Sequence, residues 1–156
     1  MAANRIRVAK DKAELVKSLL ASKDTTGPFH TYVEVMVFAA ALGVKYKKRV
    51  PLGETTKREP SPIPQENFAS LGHELIIKLL AVNETHDIEI ISSREEEYED
   101  KRTEIFEEYA NGGLAILENE LRGSVDYSER ILLFLISERD NKETLEEEFD
   151  LSKFLP

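Results

Sequence analysis

The segment that most constrains this chain is an almost unbroken apolar helix near its start. Residues 32–42 carry Val33, Val35, Met36, Val37, Phe38, Ala39, Ala40, Ala41 and Leu42, with Glu34 as the one charge. A helix apolar on nearly all sides must be surrounded by other elements or shared between subunits. Thr31 precedes it as an N-cap, and Gly43 stands where a C′ glycine is expected. The apolar stretch is about ten residues long, roughly half a bilayer span, so it belongs to a protein core. The chain has 156 residues, 41% hydrophobic and 33% charged, which suits one domain with a real core. The start of the chain shows no apolar leader, so a cytoplasmic location is expected. Without cysteine there are no disulfides, thiolate metal sites or thiol nucleophiles.

Around that helix the chain reads as mainly α. Residues 4–9 alternate polar and apolar, the period of a short half-buried strand with Arg5 and Arg7 on one face and Ile6 and Val8 on the other. A helix is predicted over 11–22, with Asp11 and Glu14 at capping-box spacing, then a turn at Thr25-Thr26-Gly27-Pro28. Pro51, Pro60, Pro62 and Pro64 mark residues 51–64 as an extended connector. Residues 65–82 form an amphipathic pattern with Phe68, Leu71, Leu75, Leu79 and Val82 on one face. Residues 83–92 fit either a strand or short helical turns. A charged helix over 93–110, capped by Ser93, is predicted to break or kink at Asn111-Gly112-Gly113 and resume over 114–121. A last helix, capped by Ser124, runs to about residue 139. Its six consecutive apolar residues, 131–136, imply burial on several sides.

The sum is a mainly α fold: a short N-terminal strand with a ribbon–helix–helix-like start, then a bundle of about five to six helices. The organisation predicted is a basic strand–helix–helix segment (1–50), the Pro-rich connector (51–64), an acidic helical part packed with it as one domain (65–140), and an acidic tail (141–156). A lone strand leaves backbone groups unpaired, and its simplest partner is the same strand of a second subunit. A homodimer or higher homo-oligomer is therefore expected.

Charge is divided unevenly. Residues 1–60 carry 12 Lys and Arg against 6 Asp and Glu; residues 61–156 carry 9 against 24. Such asymmetry points to two surfaces with different partners. A β-ribbon with outward arginines suits the DNA major groove. Thr31 and the amides that follow it suit a phosphate, and Lys45, Lys47, Lys48 and Arg49 suit phosphate neutralisation. Arg5 and Arg7 also fit a strand tucked within the chain, and the Lys45–Arg49 run also fits the favoured place of cations at a helix C-terminus. His30, His73 and His86 are scattered, with no Glu-x-x-His pair, so Glu104, Glu107 and Glu108 read as a solvated helix face and no metal or cofactor is expected. No nucleophile elbow, phosphate loop or dinucleotide fingerprint is present, so a non-enzymatic role is expected.

In order, Arg5-Ile6-Arg7-Val8-Ala9-Lys10-Asp11-Lys12, Gly27-Pro28-Phe29, residues 37–43, Ile105-Phe106-Glu107-Glu108-Tyr109-Ala110-Asn111-Gly112-Gly113-Leu114 and residues 131–136 together resemble the DNA phosphorothioation-associated protein 4 family, also called Dnd system-associated protein 4. The resemblance covers roughly residues 4 to 140. It implies a bacterial system that replaces a non-bridging phosphate oxygen of DNA with sulfur, and the linked restriction against phage. The N-terminal part also resembles the small nicked-DNA-binding subunit of that machinery, with its ribbon–helix–helix-like core, which adds Arg5, Arg7, Lys10 and Lys12 as candidate DNA contacts. Two roles follow: a DNA-binding accessory or regulator whose acidic helices dock other proteins of the system, or an interaction subunit that does not itself bind DNA.

Overall fold

The computed structural model describes residues 4–92 and 95–147, with side chains to residue 141. The fold is mainly α. Among the described residues there are six α-helices, α1 (Ala13–Ser18), α2 (Tyr32–Lys45), α3 (Gln65–Ser70), α4 (Glu74–Thr85), α5 (Glu96–Leu121) and α6 (Tyr127–Glu147), and four two-residue strands, β1 (Arg5–Ile6), β2 (Ala21–Ser22), β3 (Thr25–Thr26) and β4 (Ile63–Pro64). The predicted Ser93 cap and the tail beyond residue 147 lie outside the described residues.

The centre of the molecule is the pairing of α2 with α5. Val33, Val35, Met36, Ala39, Ala40 and Leu42 of α2 are buried, as an all-round apolar helix requires. They pack against Phe106, Ala110, Leu114 and Leu117 of α5, and Ile6, Val8, Val16, Leu19 and Phe68 belong to the same buried cluster. Phe68 meets Phe106 edge to face, ring centroids 5.5 Å apart.

Asn111-Gly112-Gly113 does not break the helix: α5 is continuous for 26 residues. The glycines instead set how closely the helices approach. A Cβ on Gly113 would overlap the carbonyl of Ala39, one on Gly112 the carbonyl of Lys48, and one on Gly43 the carbonyl of Tyr109. Three missing side chains, with Ala39, Ala40 and Ala110 beside them, bring one backbone against the other. Gly43 is therefore not the C′ residue. The helix runs two residues further, and Lys47 takes the left-handed position at φ 53°. Its amide bonds to the Val44 carbonyl and the Lys48 amide to the Gly43 carbonyl, the paired bonds of a Schellman motif.

The N-terminal strand finds its partner within the chain. β1 pairs antiparallel with β4, Arg5 opposite Pro64 and Ile6 opposite Ile63. Ala9 bridges to Thr55, and the Thr56 amide bonds to the Val8 carbonyl at 2.9 Å. The expected strand pairing across two subunits is thus replaced by an intramolecular one. The 51–64 connector supplies the missing edge, and of its four prolines only Pro64 lies in the two-residue strand β4. The predicted 11–22 helix is also shorter: a 3₁₀ turn over Lys10–Lys12 leads into α1, Asp11 makes no capping bond, and β2 and β3 form a hairpin across Lys23 and Asp24.

Two apolar patterns face outward instead of inward. The 65–82 helix is split between α3 and α4 at Gly72, whose φ is +80°. The break turns the second half, so Ile77 and Ala81 are buried while Leu71, Leu75 and Leu79 are exposed. In α6, whose first turn is capped by Asp126 and not Ser124 (Glu129 N to Asp126 Oδ1, 3.1 Å), only Ile131 and Phe134 of the 131–136 run are buried. Leu132, Leu133, Leu135 and Ile136 are exposed.

Candidate functional site

The basic candidates and the acidic helix were expected on separate surfaces, yet the fold brings them together. Arg7 lies over α5. Its Nε and Nη2 reach Glu107 Oε2 and Oε1 at 3.0 Å each, and its own backbone amide donates to Oε2 at 2.6 Å. The Glu107 side chain is 1% exposed, that of Arg7 53%. A carboxylate so deeply placed needs this planar two-pronged partner, and the bond to Glu107 raises the Arg7 pKa further. Glu107 is therefore an internal acceptor, not part of a solvated face.

One residue along α5, Glu108 receives Arg49 at 2.7 Å; the same guanidinium reaches Glu84 of α4 at 2.9 Å. Tyr109 donates its hydroxyl to Glu84, a bond that leads the causes holding the Glu84 carboxyl below its ordinary range, with Arg49 adding to it. Arg49 thus clasps α4 to α5. Asn111 secures the same strand of chain, its Nδ2 donating to the Val50 and Pro51 carbonyls at 3.2 Å each. Lys45 and Tyr46 hold α6: Lys45 Nζ lies 3.0 Å from Glu138, and the Tyr46 ring lies 6.5 Å from that of Phe134. Burial, then the Glu138 hydrogen bond, pushes the Tyr46 hydroxyl up to about 12.

The other candidates divide. Lys12 is 7% exposed and paired with Asp11 at 2.9 Å. Lys10 meets Glu54 at 3.5 Å in an open surface pair. Thr31 caps α2, its Oγ1 accepting from the Glu34 amide at 3.2 Å while Glu34 accepts from the His30 amide. Among the described residues, the side chains of Arg5, Lys47 and Lys48 make no ion pair, and Arg5 and Lys47 are exposed. Arg5, Arg7, Asp100, Glu104, Glu107 and Glu108 line an open cleft of about 640 Å³ whose acids outnumber its bases.

Sequence reasoning missed two structural cations. Arg102 is buried and donates to the Ile90 and Ser92 carbonyls at 2.7 and 3.0 Å, tying the turn after α4 to α5. Arg130 joins α6 to the end of α5 through the Glu120 carbonyl and carboxylate, 3.0 Å each. Neither has a local signal; each depends on contacts between separate elements. Among the described residues no group of three metal-ligating side chains occurs, and no helix is long and apolar enough to cross a membrane.

No curated protein and no solved structure matches the chain. A family model does match, over residues 5–154, from the β1 arginine past the end of α6. The matched range takes in the Arg7–Glu107 pair, the Arg49 clasp and the glycine contacts, and the chain accordingly belongs to the family described as DNA sulphur modification system-associated protein 4.

Proposed function

We propose that the chain is a non-catalytic interaction subunit of a DNA sulphur modification system, working through protein contacts and not through an arginine ribbon. The observation that carries this reading is the internal use of the basic residues. Arg7, Lys45 and Arg49 each clasp a carboxylate of α4, α5 or α6. A guanidinium that neutralises a buried carboxylate has little charge left to displace counterions from DNA. The exposed leucines of α4 and the net charge of −9 suit a protein partner better than a polyanion.

A second reading, a DNA-binding accessory, is favoured by one observation: Arg5, Lys47 and Lys48 are not engaged in ion pairs among the described residues. One paired experiment separates the two. The purified chain is titrated against intact and nicked duplex DNA at low and moderate salt, and is co-expressed with the proteins encoded beside it. The expected result is co-purification with one of those proteins and no salt-dependent DNA shift. A shift that disappears in the triple variant Arg5→Ala, Lys47→Ala, Lys48→Ala would instead establish the DNA-binding reading. Those positions spare the internal clasps, so loss of binding would not be loss of fold.

A further inference from the structure

We infer that the outer face of α6 docks a second copy of this chain, the two helices crossing antiparallel about a two-fold axis beside Phe134. The inner face is already used: Tyr127, Ile131 and Phe134 pack on the core and Glu138 holds Lys45. These residues recur at helical spacing, and each step turns about 100°. Leu132 and Ile136, two residues either side of Phe134, therefore point away from the core, and they are 57% and 37% exposed. Leu133 and Leu135 flank them and are also exposed.

What names the occupant is the charge at the two ends of this patch. Glu129 and Arg139 stand five residues before and five after Phe134, and both are exposed. Glu129 has no ion pair among the described residues, and Arg139 has only its neighbour Asp140, at 3.7 Å. An antiparallel copy centred on Phe134 sets Glu129 opposite Arg139 of the second copy, and Leu132 opposite Ile136 of the second copy. A two-fold axis repeats every contact, so the patch must match itself, and this one does in both charge and apolarity. The surface differs from the β1 ribbon expected from sequence, and it does not depend on the reading proposed above.

The test is sedimentation of the full chain at micromolar to submillimolar concentration, with four variants. The parent is expected to dimerise, more weakly as salt rises. Leu132→Glu with Ile136→Glu is expected to remain monomeric with unchanged helical circular dichroism, because both positions are outside the core. Glu129→Lys alone and Arg139→Glu alone each turn two attractive pairs into two repulsive ones and should weaken the dimer roughly tenfold. Their combination restores opposite charges and should recover the parent affinity. A monomeric parent over the whole range overturns the inference. So does a dimer that survives Leu132→Glu with Ile136→Glu, or one that the combined charge swap fails to restore. Binding of the face by a different protein while the parent stays monomeric would likewise overturn it.

Discussion

Replacing Gly113 by alanine sets two physical effects against each other, and the geometry decides which wins. In an isolated helix the change stabilises by about 1 kcal/mol, because glycine carries the larger backbone entropy cost. Were the Asn111-Gly112-Gly113 segment a hinge, that gain would appear in the protein. In the folded chain the new Cβ falls on the Ala39 carbonyl and 2.9 Å from the Ala39 Cα. The obstacle is backbone, so no rotamer change relieves it, and α2 and α5 must part. Overpacking costs about 1–3 kcal/mol, and a backbone obstacle belongs at the upper end. The net is a loss of about 2 kcal/mol. In a chain of 156 residues each kcal/mol moves Tm by about 2–4 °C, so Gly113→Ala should melt about 4–8 °C lower. Thermal circular dichroism at fixed protein concentration reads this directly. Ser137→Ala, on the exposed side of α6, is the control in which only helix propensity acts, and its Tm should rise slightly. A Gly113→Ala protein that melts at or above the parent would refute the close-contact account.

The remaining expectations concern the clasps. Arg7→Ala leaves the buried Glu107 carboxylate without its guanidinium and should cost about 2 kcal/mol, the low side for a buried pair because Arg7 is half exposed; adding Glu107→Leu should recover part of it in chemical denaturation. Glu84 and Glu138 both have lowered pKa values, led by hydrogen bonds from Tyr109 and Tyr46 respectively. Their contribution is therefore present above the ordinary carboxylate pKa and lost as pH falls through the lower folded value, so acid unfolding should begin at higher pH in Tyr109→Phe and Tyr46→Phe than in the parent. The Tyr46 hydroxyl, raised to about 12, has the opposite sign. Its share is present below the ordinary tyrosine pKa near 10 and is lost as pH rises toward 12, so tyrosinate absorbance should lag that of free tyrosine in this window and catch up only on unfolding.

What could be read from the sequence was what depends on near neighbours. The Thr31 cap, the buried α2, the opening strand with Ile6 and Val8 turned inward, and the helical remainder all follow from local spacing. The misplaced features depend on contacts distant in sequence. Ile63 and Pro64 look like connector until Arg5 and Ile6 are laid beside them. Gly112 and Gly113 look like a break unless the Ala39 and Lys48 carbonyls are known to lie against them. Six apolar residues in α6 imply burial only if every side is covered, and the described fold buries Ile131 and Phe134 alone of the six. Arg7, Lys45 and Arg49 were singled out for charge, but charge does not disclose that Glu107, Glu138 and Glu108 would arrive first.

The glycine contacts make the distance between α2 and α5 an all-or-nothing quantity. Glu107 and Glu108 stand five residues before Gly112 and Gly113, which meet Lys48 and Ala39, and Arg49, which reaches Glu108, follows Lys48 directly. Widening the crossing by the width of a methyl group would stretch the Arg49–Glu108 contact, because Arg49 directly follows the residue that meets Gly112. Drift at these four positions is thus tied: a related chain that carries alanine at Gly112 or Gly113 should also have abandoned Glu108 or Arg49, and pairs of exchanges, not single ones, are the steps open to this part of the molecule.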